Sequence, residues 1–175
     1  MNPYRFCVLF SALAVLCGAL PSPADAQNVQ WSPFTSKEFP FSISLCSTPS
    51  RVEKKNIADG TTNIVAATAG DIVCIVSMTD FNVDLAVEQE FKEQQATFLK
   101  SINGVLGNSR RVAFKSRSGT LPALRFTFRM KSARVGTTMA IIEGRRFYML
   151  CFTFPEDKDY ATALETFIDS FQILK

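Results

Sequence analysis

The chain has 175 residues, 47% of them hydrophobic, and a formal net charge of +3 from 19 basic and 16 acidic side chains, with no histidine. So small a balance lacks the electrostatic footprint of a nucleic-acid-binding domain. The missing histidine excludes Ser-His-Asp and Cys-His catalysis, imidazole-built zinc and copper sites, and a histidine switch near neutral pH.

Residues 1–26 read as a secretory signal peptide. Arg5 supplies a positive n-region, residues 6–20 an apolar h-region, and Ala24-Asp25-Ala26 a small-x-small cleavage site. The expected product starts at Gln27, is secreted or periplasmic, and keeps no transmembrane anchor. A retained anchor fits less well, because the apolar run is short and is broken by Pro21 and Pro23. A lipid-bearing Cys17 fits badly too, since the bulky Leu16 precedes it. Residues 27–175 then form one domain, about 149 residues long and still at +3, because Arg5 and Asp25 leave together.

Residues 27–38 read as an extended lead-in carrying Trp31. Phe39, Phe41, Ile43 and Leu45 then alternate with small or polar residues, as in a half-buried strand that ends at Ser47-Thr48-Pro49-Ser50. Further strands are expected over residues 51–57, 62–68 and 72–79, with turns at Asp59-Gly60 and Gly70-Asp71. From Asp84 the period becomes helical: Val87, Phe91, Phe98 and Ile102 share one face, Asn82 or Asp84 offers a cap, and Asn103-Gly104 a stop. Four strands follow over residues 111–117, 123–131, 135–143 and 146–154. A last helix is expected over 158–171, capped by Asp157 or Asp159. The final strand is apolar on both sides, which marks it as central and covered twice.

The order strands, helix, strands, helix, with hairpin turns in place of βαβ crossovers, argues an α+β fold with a mostly antiparallel sheet. Trp31 with FPFSISLCSTP (residues 39–49), the acidic helix near Asp84, and residues 146–154 with 167–171 resemble the PsbP-like α/β/α sandwich family of secreted bacterial proteins. The resemblance implies helices flanking the sheet and an accessory or binding role. None of its motifs is catalytic, and Cys46 stands where similar sequences often carry a proline.

The product expected after cleavage has three cysteines, Cys46, Cys74 and Cys151, without a CxxC spacing. Cys46 with Cys74 is the expected disulfide, both lying in the N-terminal strand region. Burial of Cys74 and Cys151 as small hydrophobes is the alternative. No metal site or cofactor is expected. Gly104-Val105-Leu106-Gly107 precedes a strand, where an RNA-binding KH module needs a helix. Asp80, Asp84 and Glu88 are explained by capping and helix-dipole effects better than by catalysis or calcium binding.

Between Arg110 and Arg146 ten basic residues face a single acid, Glu143. Arg111, Lys115 and Arg117 share one strand parity; Arg125, Arg129 and Lys131 share another. If the apolar residues of both strands face one core, the six basic residues share the opposite face, which requires an odd loop or a bulge around Ser118-Gly119-Thr120. Such a face would bind a protein partner or an anionic envelope component, unless acids of the long helix (Glu88, Glu90, Glu93) or of the last segment (Glu156, Asp157, Asp159) pair with it. Nucleic acid is not expected, as the face lacks aromatics. The reading is therefore a non-enzymatic accessory or binding protein. A small-molecule or lipid carrier with a pocket between sheet and helices is the alternative, and a carboxylate- or cysteine-based enzyme is third.

Overall fold

The structure is a computed structural model that describes residues 29–174, so the expected signal peptide and cleavage site lie outside the described residues. Seven strands form one antiparallel sheet: β3 (Arg51–Ile57), β4 (Gly60–Ala69), β5 (Ile72–Phe81), β6 (Gly104–Ser116), β7 (Gly119–Met130), β8 (Arg134–Glu143) and β9 (Arg146–Pro155). Their order across the sheet is β3-β4-β5-β9-β8-β7-β6. A small second sheet joins β1 (Ser32–Thr35), β2 (Phe41–Leu45) and β10 (Gln172–Ile173) in the order β1-β2-β10. Helix α1 (Val87–Ser101) packs on one face of the main sheet; α2 (Ala161–Asp169) and the small sheet pack on the other. This is an α+β sandwich around a mostly antiparallel sheet.

Turn chemistry sets the sheet's registers. Gly70 and Gly144 adopt positive φ in two-residue hairpins, a conformation that costs glycine nothing and matches the twist of the flanking strands. The central strand β9 is buried along both sides: Phe147, Met149 and Cys151 point to α1, and Tyr148, Leu150 and Phe152 to the small sheet. Under α1 the Phe98 ring stands edge-on to Phe126 and Phe128, at 5.7 and 4.9 Å. On the other face Phe171 gathers Phe41, Phe114 and Tyr148.

Both helices begin later than their periodicity suggests. The Asn82 amide donates to the Asp59 carbonyl (2.8 Å) and that of Leu85 to Gly144 (3.3 Å). These bonds hold the chain extended across two hairpin turns, so the cap position falls to Ala86 and neither Asn82 nor Asp84 caps α1. Asn103, not Gly104, takes the left-handed conformation after α1 (φ 49°), and Gly104 already opens β6. Asp159 accepts the Ala161 amide at 3.0 Å at the start of α2, while Phe171 lies beyond the helix and enters the core.

Among the described residues the cysteines Cys46, Cys74 and Cys151 are buried thiols. Cys46 donates its S–H to the carbonyl of Ala67 (3.4 Å), the strand partner of Cys74. Burial pushes the Cys74 thiol pKa up, and the neighbouring Cys46 thiol adds to it. The expected pair is thus brought together in reduced form, and Cys151, on the α1 face, adds a smaller upward effect on the Cys74 pKa.

Two outcomes follow from the packing. A Cβ at Gly136 would lie 2.6 Å from both the Phe128 ring and the Phe152 carbonyl oxygen, so Gly136→Ala should cost about 1–3 kcal/mol. The check is the urea midpoint; an unchanged midpoint would mean the sheet absorbs the methyl freely. Burial, then a 2.6 Å hydrogen bond to Asp71, pushes the Tyr160 pKa up to about 12, and burial, then the nearby Glu143 carboxylate, also raises Tyr148. Because the folded values exceed the ordinary value of about 10, this stabilisation is full below pH 10 and is lost as pH rises through the folded pKa. Ultraviolet titration of a chain starting at Gln27 should therefore show no phenolate step near pH 10. A half-amplitude step there would contradict the burial of one tyrosine.

Candidate binding surface

The basic residues singled out by sequence lie mainly on the β6–β7 hairpin at one end of the main sheet. From Gly104 to Lys131 this hairpin has seven basic residues and no acid. Its turn is two residues long, Arg117-Ser118, with Ser116 opposite Gly119. The expected odd loop is absent, and the bulge lies elsewhere, between Leu106 and Ser109. Val112 and Phe114 therefore face the small-sheet layer, while Phe126 and Phe128 face α1.

The single basic face is corrected accordingly. Arg111 and Lys115 stand on the α1 face; Arg125 and Arg129, with Arg110 opposite Arg125, stand on the α2 face. Arg117 and Lys131 occupy turns. The expectation assumed one core, whereas the sheet has a core on each side, so apolar residues of opposite parity are both buried.

Acids from neighbouring elements neutralise part of each set. On the α1 face Arg111 pairs with Glu88 and lies over the Phe91 ring, 4.3 Å from its centroid. On the α2 face Arg125 holds Glu165 through two nitrogens, and Arg129 pairs with Glu156. Next to the hairpin, Arg145 pairs with Asp80 at 2.8 Å and Arg146 with Glu143 at 3.6 Å. Arg134 donates to the carbonyls of Asp71 and Thr153. Arg117 reaches only the neutral Gln172, at 3.5 Å. Among the described residues, Arg110, Lys115, Arg117 and Lys131 make no ion pair, and the first three lie on β6 or the turn that ends it. Glu165 was not anticipated, because nothing in local spacing links a residue of α2 to Arg125, forty positions away.

Asp80 and Glu88 are each engaged by an arginine, and among the described residues no cluster of three potential metal ligands occurs. Clefts open at the surface. One of 270 Å³ lies by Lys54, Asp80 and Arg145; one of 460 Å³ is lined by Trp31, Tyr160 and Thr166; one of 380 Å³ lies between Arg117 and Phe171. Among the described residues no helix is long and apolar enough to cross a membrane.

With an antiparallel seven-stranded sheet between a helix and a layer of helix plus small sheet, the molecule is an α+β sandwich of the PsbP-like kind. The solution structure of cyanobacterial PsbP (CyanoP) from Synechocystis sp. PCC 6803 superposes with a TM-score of 0.53 at 11% identity, covering 88% of this chain and 98% of that one. A crystal structure from Bacteroides thetaiotaomicron VPI-5482 gives a TM-score of 0.42 at 16% identity, over 78% of this chain and 46% of that one. At 11% identity the likeness to CyanoP is one of fold. No family model and no curated protein matches the sequence.

The Glu165 pair sets a pH dependence. Its Arg125 partner, with Arg110 adding to the effect, holds the Glu165 carboxyl below its ordinary range despite the opposing effect of burial. A depressed folded pKa gives stability that is present above the unfolded value, about 4.3, and is lost as pH falls through the folded one. Glu165→Gln should cost under about 1 kcal/mol at pH 7, since the carboxylate is half exposed. The gap between the urea midpoints of variant and parent should narrow as pH falls from about 4.3 through the lowered folded value; a gap that does not narrow would assign Glu165 a packing role instead.

Proposed function

We propose that this protein is an exported, non-enzymatic accessory protein that engages an anionic partner through the β6 edge of its main sheet. The observation that carries the reading is the position of the unneutralised charge. Of the seven bases on the acid-free β6–β7 stretch, those of β7 find acids on α2 or in the segment before it, whereas Arg110, Lys115 and Arg117 make no ion pair, Arg110 having Glu165 only as a longer-range counter-charge. Uncompensated like charges gathered at one edge lower stability slightly and raise the local concentration of anions. Export is supported by the signal-peptide pattern of residues 1–26. The PsbP-like sandwich and the absence of histidine fit a protein that binds without performing chemistry.

The test uses a triple variant, Arg110→Ser, Lys115→Ser, Arg117→Ser, against a control, Arg125→Ser with Arg129→Ser. Association with a polyglutamate surface should slow by about tenfold or more in the triple variant at low salt and much less in the control. Equal slowing of both would move the site off the edge.

Export carries its own expectation. In an oxidising compartment Cys46 and Cys74 each lose a proton, and together two electrons, to a disulfide-donating oxidoreductase, forming one S–S bond. Thiol titration of the denatured exported protein should then find one thiol, Cys151. Three thiols would argue against an oxidised pair.

A further inference from the structure

We propose that β6 is a docking strand, and that an acidic, extended segment of a partner protein adds to it as an eighth strand of the main sheet. The proposal deepens the anionic-partner reading and rests on it. β6 is the outermost strand beyond β7, so half of its main-chain groups point away from the sheet. A two-residue turn closes on a hydrogen-bonded pair, here Ser116 with Gly119, and the ladder alternates from there. Arg111, Ala113 and Lys115 therefore turn their N–H and C=O outward, and all three are exposed. The bulge at residues 107–108, where the Asn108 amide donates to Thr127 Oγ1 at 2.9 Å, ends the regular stretch. Residues 109–116 remain as the docking length.

The two edges of the sheet are built differently. On β3, Glu53 sits between Arg51 and Lys55 and holds both, and Lys54 reaches Glu38 at 2.5 Å. That edge is neutralised by its own neighbourhood. β6 contains no acid, and its charges alternate: Arg110 toward α2, Arg111 and Lys115 toward α1. A flat anionic surface can address one face of a sheet at a time, whereas the side chains of an added strand alternate and reach both. A second copy of the chain would set Arg110 and Arg111 against basic residues of its own β6, which like-charge repulsion disfavours. Basic residues on an edge also deter aggregation; the same charges that repel a copy attract an acidic strand.

The test is fluorescence anisotropy of the purified protein with a labelled eight-residue peptide alternating glutamate and valine, compared with the same peptide N-methylated throughout. Strand addition predicts binding that is weakened at least about tenfold by methylation and by Arg110→Ser with Lys115→Ser. Hydrogen exchange should slow at Arg111, Ala113 and Lys115. Equal binding of both peptides overturns strand addition and leaves the basic-edge reading standing. Tighter binding to phosphatidylglycerol vesicles than to the peptide overturns the choice of a protein partner. No binding to peptide or vesicle overturns both readings.

Discussion

The structure depends on one constraint: the main sheet is apolar on both faces and must be covered twice. β9 and β5 are buried along their lengths on either side, with Cys74, Val76, Leu150 and Phe152 facing one way and Val73, Ile75, Met149 and Cys151 the other. An antiparallel sheet can leave one face in water; this one has no polar face to offer. α1 closes one side through Phe91 and Phe98. The other side takes α2 together with a separate small sheet, because α2, at nine residues, is too short to cover it alone.

Covering the centre from both sides drives charge to the margins. β3 and the β6–β7 hairpin carry most of the charged side chains of the sheet, and each margin resolves its like charges in its own way. β3 does so by interleaving Glu53 between Arg51 and Lys55, whose attraction lowers the Glu53 pKa against a smaller opposing burial effect. The β6–β7 hairpin has no acid of its own and takes counter-charges from the covering layers: Glu88 from α1, Glu165 from α2 and Glu156 from the segment before it. Neutralisation of that hairpin is therefore a consequence of tertiary packing.

That dependence explains how much was legible in the sequence. Phe41, Ile43 and Leu45 alternate because one side of β2 is buried; Phe91 and Phe98 repeat at helical spacing because one side of α1 is. Gly70 and Gly144 announce their turns through the conformation they alone adopt cheaply. The start of α1 was not legible, because the Asp59 and Gly144 carbonyls that hold residues 82–85 are remote in sequence. Nor was the face of each basic residue: parity along β6 and β7 is local, but which parity counts as inside is fixed by layers contributed from elsewhere. Assuming a single core merged two faces into one. Glu90, one of the long-helix acids expected near the basic residues, lies buried and accepts a hydrogen bond from Gln94 at 2.7 Å, a placement set by tertiary packing.

The same reasoning locates where the sheet can still act on its surroundings. Inside, the faces are occupied: Phe98 meets Phe126 and Phe128 under α1, and Phe171 meets Phe41, Phe114 and Tyr148 beneath the small sheet. On the α1 face Glu88 reaches Arg111 of the outer strand, whereas on the α2 face the reach of the covering layer falls off toward the rim. Arg125, one strand in, receives a two-nitrogen contact from Glu165, while Arg110, directly opposite it on the outer strand, has that carboxylate only as a distant counter-charge. A sheet covered on both faces thus concentrates its unbalanced charge and its unpaired main-chain groups on the same outer strand. Affinity from the backbone and selectivity from the charge then coincide on β6.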